Sequence, residues 1–233
     1  MSGTSNVAVV TGAGSGLGAA LVTELVERGQ KVIAVGRRRP ELEAVAARAG
    51  SDKVDIRTCD VGDYAAVVSL VQTTLEQGPV RYLFHSAGAP AFARPADIDD
   101  KLLEQALSAN LRGLVYLSSL LVAPMKAARG GAIVGILSTA ALNGRPDEGA
   151  YAAAKWGARG FLECLRADCK GTGVSVISVF PGGMNTEFWS KQSHLAPDLG
   201  TYMDPQEVAR PVVEAAMGIG ALGFISTLTI ERK

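Results

Sequence analysis

Short runs rich in β-branched residues alternate with longer stretches of helical character along the whole chain, and this alternation constrains the fold more than any other feature. Candidate strands fall at Val7–Val10, Lys31–Val35, Asp55–Thr58, Tyr82–Ser86, Ala132–Leu137, Val174–Phe180 and Phe224–Ile230. Between them lie candidate helices at about 16–28, 40–49, 63–77, 101–128, 149–170 and 205–217. Strand, helix, strand in repetition is the pattern of βαβ units around a parallel sheet. Several strands are nearly continuous apolar runs, as expected where helices cover both faces of the sheet. The expected fold class is therefore α/β, a doubly wound parallel sheet of about seven strands with helices on both faces. No repeat, linker or charge run divides residues 1–233, so a single domain is expected.

Local signals sharpen the boundaries. Asp63 stands three residues before the apolar run Ala66–Val67–Val68 and is placed to cap its helix, and Pro205 suits a first helical position. Gly29, Gly50, Gly78, Gly130 and Gly171 follow the far ends of helices. From Gly183 to about Asp204 there is no clean periodicity, only Phe188 and Trp189 among polar residues, with His194, Pro197 and glycines. A stretch of that length inside a compact domain reads as a substrate lid, at about 183–204.

Charge and composition exclude several classes. The 23 Lys+Arg balance the 23 Asp+Glu, so no basic field is available for nucleic acid or an anionic membrane. The first 23 residues carry no charge but lack a basic leader region. Elsewhere the longest uncharged stretches, 171–186 and 215–230, run 16 residues and hold Gly or Pro, short of the roughly 20 apolar residues of a spanning helix. Cys59, Cys164 and Cys169 form no CxxC, and with His85 and His194 the only histidines no metal site is expected. Reduced thiols and a cytoplasmic location follow as expectations.

Directly after the first strand comes Thr11-Gly12-Ala13-Gly14-Ser15-Gly16-Leu17-Gly18, then the amphipathic run Ala19–Arg28. Missing side chains at Gly12, Gly16 and Gly18 permit a tight turn, close approach of backbone amides to a pyrophosphate, and packing of the helix on the sheet. The helix N-terminus adds partial positive charge. A plain tight turn would read the same in isolation; a strand before, a helix after and a second strand ending about 24 residues beyond Gly12 favour a dinucleotide site. At that strand end stands Val35-Gly36-Arg37-Arg38-Arg39, with no acid between Lys31 and Pro40. An NAD site would present a carboxylate to the ribose, whereas arginine suits a 2′-phosphate, so NADP(H) is the expected cofactor, with Arg37 first and Arg38 second.

Tyr151-Ala152-Ala153-Ala154-Lys155 lies among strong helix formers, and residues four apart project from nearly one helix face. A nearby cation lowers a phenol pKa that is otherwise about 10, which suits the tyrosine to acid/base work. Ser138 follows an apolar strand, at the sheet end where ligands of open α/β folds collect. Asn110 sits inside a long helical segment, a poor place for asparagine on propensity alone. His85, expected in the sheet, reads as a hydrogen-bonded structural histidine.

Together these residues resemble the short-chain dehydrogenase/reductase family, in its compact NADP-preferring branch, from about Asn6 to the C-terminus. The resemblance rests on the turn at residues 11–18, Asp60-Val61 after the third strand, Ser86-Ala87-Gly88 after the fourth, Asn110, Ser138, Tyr151-x-x-x-Lys155, and Pro181-Gly182 with Thr186. It implies a Rossmann fold and hydride transfer between a nicotinamide and a small to medium, partly apolar carbonyl or alcohol. In that family pattern Tyr151 is the acid/base, Lys155 lowers its pKa and binds the nicotinamide ribose, Ser138 polarises the substrate oxygen, and Asn110 orients a water of a proton relay. The cofactor contacts implied are Gly12, Ser15, Gly16, Leu17, Gly18, Arg37 and Arg38, Asp60 and Val61 at the adenine, Ser86 and Ala87, and Gly88 beneath the ribose. Tyr151, Lys155, Pro181, Gly182 and Thr186 complete the set on the nicotinamide side. The sequence departs from the family in having His85-Ser86 before Ala87-Gly88, where two asparagines are usual, and in an added Gly183, expected to loosen the hinge of the lid.

The substrate pocket is expected from residues after Ser86, from Ala140–Glu148 and from the lid, with Leu142, Met184, Phe188 and Trp189 as its apolar part. Assembly as a homodimer or homotetramer is expected through the two long helices, where alanines 152–154, 158 and 167 allow close approach. The competing reading is a non-enzymatic NADP-binding sensor of the same fold, which would typically have lost Tyr, Lys or Ser from the active set.

Overall fold

The computed structural model describes residues 6–50, 52–189, 197–218 and 223–233. Seven strands form one sheet: β1 (Val7–Thr11), β2 (Lys31–Gly36), β3 (Val54–Thr58), β4 (Val80–His85), β5 (Gly131–Ile136), β6 (Val174–Pro181) and β7 (Thr227–Ile230). Their order is β3-β2-β1-β4-β5-β6-β7, and every pairing is parallel. The order reverses between β1 and β4, and in such a sheet the crevice at the carboxyl ends of those two strands is where ligands bind.

Strand side chains alternate between two buried layers. Ala8 and Val10 of β1 and Val32 and Ala34 of β2 join the core beneath α1 (Gly16–Glu27), α2 (Arg39–Ala49) and α7 (Pro205–Met217). Val7, Val9, Ile33 and Val35 point the other way, into the core beneath α3 (Tyr64–Leu75), α5 (Gly113–Ala127) and α6 (Gly149–Asp168). A period of two with both faces covered explains the continuous apolar runs. Leu21, Leu25, Leu114, Leu117 and Leu162, all at 0–1% exposure, anchor the helices, each burial contributing about 1.5–3 kcal/mol.

Asp63 caps α3 by accepting from the amides of Ala65 and Ala66, and Pro205 opens α7 behind the cap Asp204. The segment expected as one helix over 101–128 is two helices, α4 (Asp100–Leu107) and α5, joined by a π-turn at Ser108–Arg112. Its run Asp100–Ala127 is long and apolar enough to cross a membrane by length and composition, but Leu114, Leu117, Leu121 and Met125 spend that apolarity on the sheet. After α5 the left-handed residue is Arg129, with φ 50°, and Gly130 does not take that conformation. β7 begins three residues later than expected, with Phe224 42% exposed outside it. The three cysteines are free.

Arg166 locks α6 onto the sheet: its Nε donates to Val176 O, and its Nη2 to Ser178 Oγ and Ser226 O, each at 2.9 Å. That clamp fixes the helix carrying Tyr151 and Lys155 against β6 and the approach to β7. The segment after β6 is closed at its base, where Met184 bridges Met203, Met203 N donates to Gly183 O at 3.1 Å, and Asn185 N donates to Met203 O at 2.9 Å. A Cβ on Gly183 would stand 2.7 Å from the Tyr202 ring. The added glycine therefore serves close packing in a hydrogen-bonded neck, contrary to the expectation of a loose hinge. Residues 190–196 of the expected lid, His194 among them, lie outside the described residues.

Candidate active site

The turn between β1 and α1 is dictated by its glycines. Gly12 takes φ 66°, and a Cβ there would meet Ala87 N and Ser86 O at 2.8 Å, while a Cβ on Gly18 would sit 2.1 Å from Gly12 O. Only hydrogen fits at these positions, so the turn folds flat beneath the first turn of α1. Asp63, Asp99 and Asp204 cap α3, α4 and α7 with carboxylates. The N-cap Ser15 of α1 makes no side-chain cap, and the first turn holds no acid. The uncapped amides and the helix dipole suit an anion.

These residues border a cavity of about 190 Å³. Gly12, Ser15, Gly16, Leu17 and Gly18 line it together with Ser138, Tyr151 and Lys155. Ser86, Gly88 and Asn110 form part of the wall, with Pro181, Gly182 and Thr186 from the end of β6. Sequence positions more than a hundred residues apart thus share one site.

Tyr151 and Lys155 rise from one face of α6, with Lys155 Nζ 5.7 Å from the phenol ring centroid. Lys155 Nζ donates to Ile136 O at 2.9 Å, and burial lowers its pKa to about 7. Burial also raises the Tyr151 phenol well above its ordinary value, opposed by a hydrogen bond with Ser138 and the charge of Arg145, and reinforced by Glu148. The expectation that the Lys155 cation dominates is not met. Desolvation wins at the phenol, and the same desolvation weakens Lys155 as a cation. Ser138 Oγ accepts from Ala140 N at 3.1 Å, which holds the hydroxyl at the end of β5.

Asn110 is buried in the π-turn. Nδ2 donates to Ala89 O and Ala106 O, each at 2.9 Å. Oδ1 has no hydrogen-bond partner among the described residues, and a Cβ on Gly88 would stand 2.8 Å from it and 3.7 Å from Lys155 Nζ. An orphaned buried acceptor beside a buried amine, at one end of an anion-suited turn, fits a bound nucleotide and its waters.

Other expected contacts lie outside the cavity wall. Arg37 and Arg38 are exposed at the turn into α2, where Arg38 pairs with Glu41 at 2.8 Å and Glu187 at 3.6 Å. Asp60 is exposed and accepts from Gly62 N at 2.9 Å, and Val61 is buried in the second core. The Ala87 amide donates to Thr11 Oγ1. Leu142, expected in the apolar part of the pocket, packs on the second core instead.

Sequence reasoning missed Phe92, whose ring stacks on Trp189 at 5.8 Å and meets Tyr151 edge-on at 5.2 Å. Phe188 and Trp189 complete this aromatic wall, with Tyr202 behind Trp189 at 5.4 Å. A phenylalanine in a segment without periodicity carries no signal of its own. Arg145 and Glu148, both within the expected stretch Ala140–Glu148, also face the cavity and add charged groups to its wall.

A family model described as short chain dehydrogenase matches residues 6–196. A glycine betaine reductase of Emericella nidulans is 33% identical over 90% of the chain, which spans only 17% of that protein's length. A D-threitol dehydrogenase of Mycolicibacterium smegmatis is 32% identical over 97% of the chain and 91% of its own length. A crystal structure of an actinorhodin polyketide ketoreductase variant with NADPH superposes with a TM-score of 0.89, 28% identical over 99% of this chain and 97% of that one.

Proposed function

Because the chain belongs to the short-chain dehydrogenase/reductase family of oxidoreductases, we propose that it transfers hydride between NADP(H) and a small to medium, partly apolar carbonyl or alcohol. One observation carries this reading: Ser138, Tyr151, Lys155 and the orphaned Asn110 Oδ1 border the same cavity as the uncapped N-terminus of α1.

When bound, the nicotinamide supplies or takes up the hydride. Ser138 Oγ holds the substrate oxygen, and the Tyr151 hydroxyl gives its proton to that oxygen in reduction and recovers it in oxidation. A buried phenol that resists ionisation stays protonated until the substrate oxygen draws the proton away. Lys155, with a pKa near 7, is poised to restore that proton, and Asn110 Oδ1 accepts from a water linking the amine to solvent. Gly12, Gly16 and Gly18 bring the α1 amides to the pyrophosphate, Gly88 and Gly182 leave room for the ribose and nicotinamide, and Thr186 lies against Gly16. Arg37 and Arg38 select the 2′-phosphate, supported by the absence of any acid from Lys31 to Arg39. NADPH in the similar ketoreductase structure agrees with this preference.

The segment 183–204 acts as the lid, with Phe188 and Trp189 over the substrate. Assembly as a homodimer or homotetramer uses the outer face of α6. Ala154 and Ala158 are buried in the chain's own core and take no part, leaving Ala153, Gly157, Gly160 and Ala167 beside the exposed Trp156.

NADPH consumption measured against a panel of ketones and aldehydes tests the reading. Turnover with at least one carbonyl, lost in Tyr151→Phe, is expected. Tight nucleotide binding with no turnover of any carbonyl or alcohol would instead establish a sensor.

A further inference from the structure

The cavity wall holds a charged group that the proposed chemistry leaves idle. Glu148 stands immediately before α6, as its N-cap, and three residues ahead of Tyr151. Glu148 is 9% exposed, lines the cavity with Tyr151, and makes no side-chain cap to its own helix. Its ion-pair partner Arg145 stands 3.9 Å away, beyond hydrogen-bond distance, and turns Nη2 to Thr139 Oγ1 at 3.0 Å. Among the described residues, the Glu148 carboxylate thus accepts no hydrogen bond, although it offers about four lone-pair sites. The side chain keeps 12% exposure and lines the cavity, so a ligand hydroxyl bound there can supply the missing donor. Burial raises its pKa and Arg145 opposes the rise; in either protonation state one oxygen remains able to accept.

We propose that Glu148 determines specificity by accepting a hydrogen bond from a hydroxyl on the carbon next to the reacting carbonyl. The substrate class is then α-hydroxy ketones and the corresponding vicinal diols, with the apolar remainder against Phe92, Phe188 and Trp189. Glu148 and Tyr151 line the same cavity, so a substrate held at Tyr151 through one oxygen can offer Glu148 the oxygen on the next carbon. In reduction the carbonyl gains a hydride at carbon and a proton at oxygen, and the neighbouring hydroxyl is unchanged. This inference rests on the reductase reading above.

The test compares 3-hydroxy-2-butanone with 2-butanone as NADPH-dependent substrates. It also compares 2,3-butanediol with 2-butanol as ligands of the NADPH-loaded enzyme, read by nucleotide fluorescence. In the wild type, kcat/KM for the hydroxylated ketone is expected to exceed that for 2-butanone by about ten-fold or more, with the same ranking in binding. Glu148→Ala should bring both ratios to within about three-fold of one, while Glu148→Gln, which keeps an acceptor oxygen and the side-chain volume, retains most of the preference. A wild-type ratio near one, or a ratio untouched in Glu148→Ala, overturns the proposal. Turnover of both ketones without discrimination overturns it alone, whereas failure to reduce any carbonyl overturns the reductase reading with it.

Discussion

Thr11 Oγ1 lies 3.1 Å from Nδ1 of His85 and also accepts the amide hydrogen of Ala87 at 3.1 Å. On the other side of the ring, His85 Nε2 is 3.1 Å from Ala109 O. A carbonyl cannot donate, so Nε2 carries the hydrogen and Nδ1 accepts from the threonine hydroxyl. A neutral imidazole thus joins the end of β1, the turn at Gly88 and the π-turn that carries Asn110. The residue that departs most visibly from the family pattern holds three parts of the site together.

Burial lowers the His85 pKa from about 6.5 to about 4. Because the folded value is the lower one, the unfolded chain takes up the proton first as pH falls. The stability from the neutral ring is present above about pH 6.5 and is lost between there and about pH 4, amounting to roughly 3 kcal/mol. Urea unfolding at pH 7, 5.5 and 4.5 should show this loss in the wild type and a flatter dependence in His85→Asn. Equal slopes in the two proteins would exclude His85 as the titrating group.

Tyr151→Phe should lower kcat by about a thousand-fold or more, and Ser138→Ala by about a hundred-fold, the latter equivalent to about 3 kcal/mol of lost oxyanion stabilisation. Neither change should move nucleotide affinity by more than about three-fold. Single-turnover kinetics with titration of NADPH fluorescence separates the two effects. A Tyr151→Phe enzyme at near-normal rate would remove the tyrosine from the chemistry.

Arg37→Ala combined with Arg38→Ala should weaken NADPH by about ten-fold or more and leave NADH nearly unchanged, since only the former carries a 2′-phosphate. Arg38 already faces Glu41 and Glu187, whereas Arg37 has no ion pair among the described residues, so the Arg37 single variant should account for most of the loss. An unaltered preference in the double variant would place the phosphate elsewhere.

Two glycine substitutions should act in opposite directions. A methyl on Gly18 meets the Gly12 carbonyl at 2.1 Å, so Gly18→Ala should destabilise the fold by several kcal/mol and abolish nucleotide binding. Gly160, exposed in α6 with nothing within 4 Å of its added Cβ, should give the single subunit about 0.5–1 kcal/mol on substitution by alanine. Thermal unfolding distinguishes them. If the α6 face forms the oligomer contact, sedimentation of Gly160→Ala at micromolar concentration will show a shift toward monomer.

The sheet, its helices and the residues at its carboxyl edge were legible because each is encoded locally: apolar periodicity, a glycine turn after a strand, a hydroxyl after another, a Tyr-Lys pair one turn apart. The substrate side was less so. Phe92 reaches Tyr151 from a segment without periodicity, and Glu148 acquires meaning only when the fold buries it beside Arg145. The π-turn left a single trace, an asparagine where helices disfavour one. The electrostatics of Tyr151 escaped for a different reason: spacing shows that a lysine is near, whereas the depth of burial decides which influence prevails.

The hydrogen-bonded neck at Gly183, Met184 and Met203 has a consequence for how such a protein diversifies. Once the two ends of the intervening segment are joined, further length costs little closure entropy, about 0.6 kcal/mol for each doubling. Insertions and replacements there leave the register of β6 and β7 intact, and with it the placement of Tyr151 and Lys155. The bracketed segment is therefore free to vary in length and sequence while Tyr151 and Lys155 keep their places.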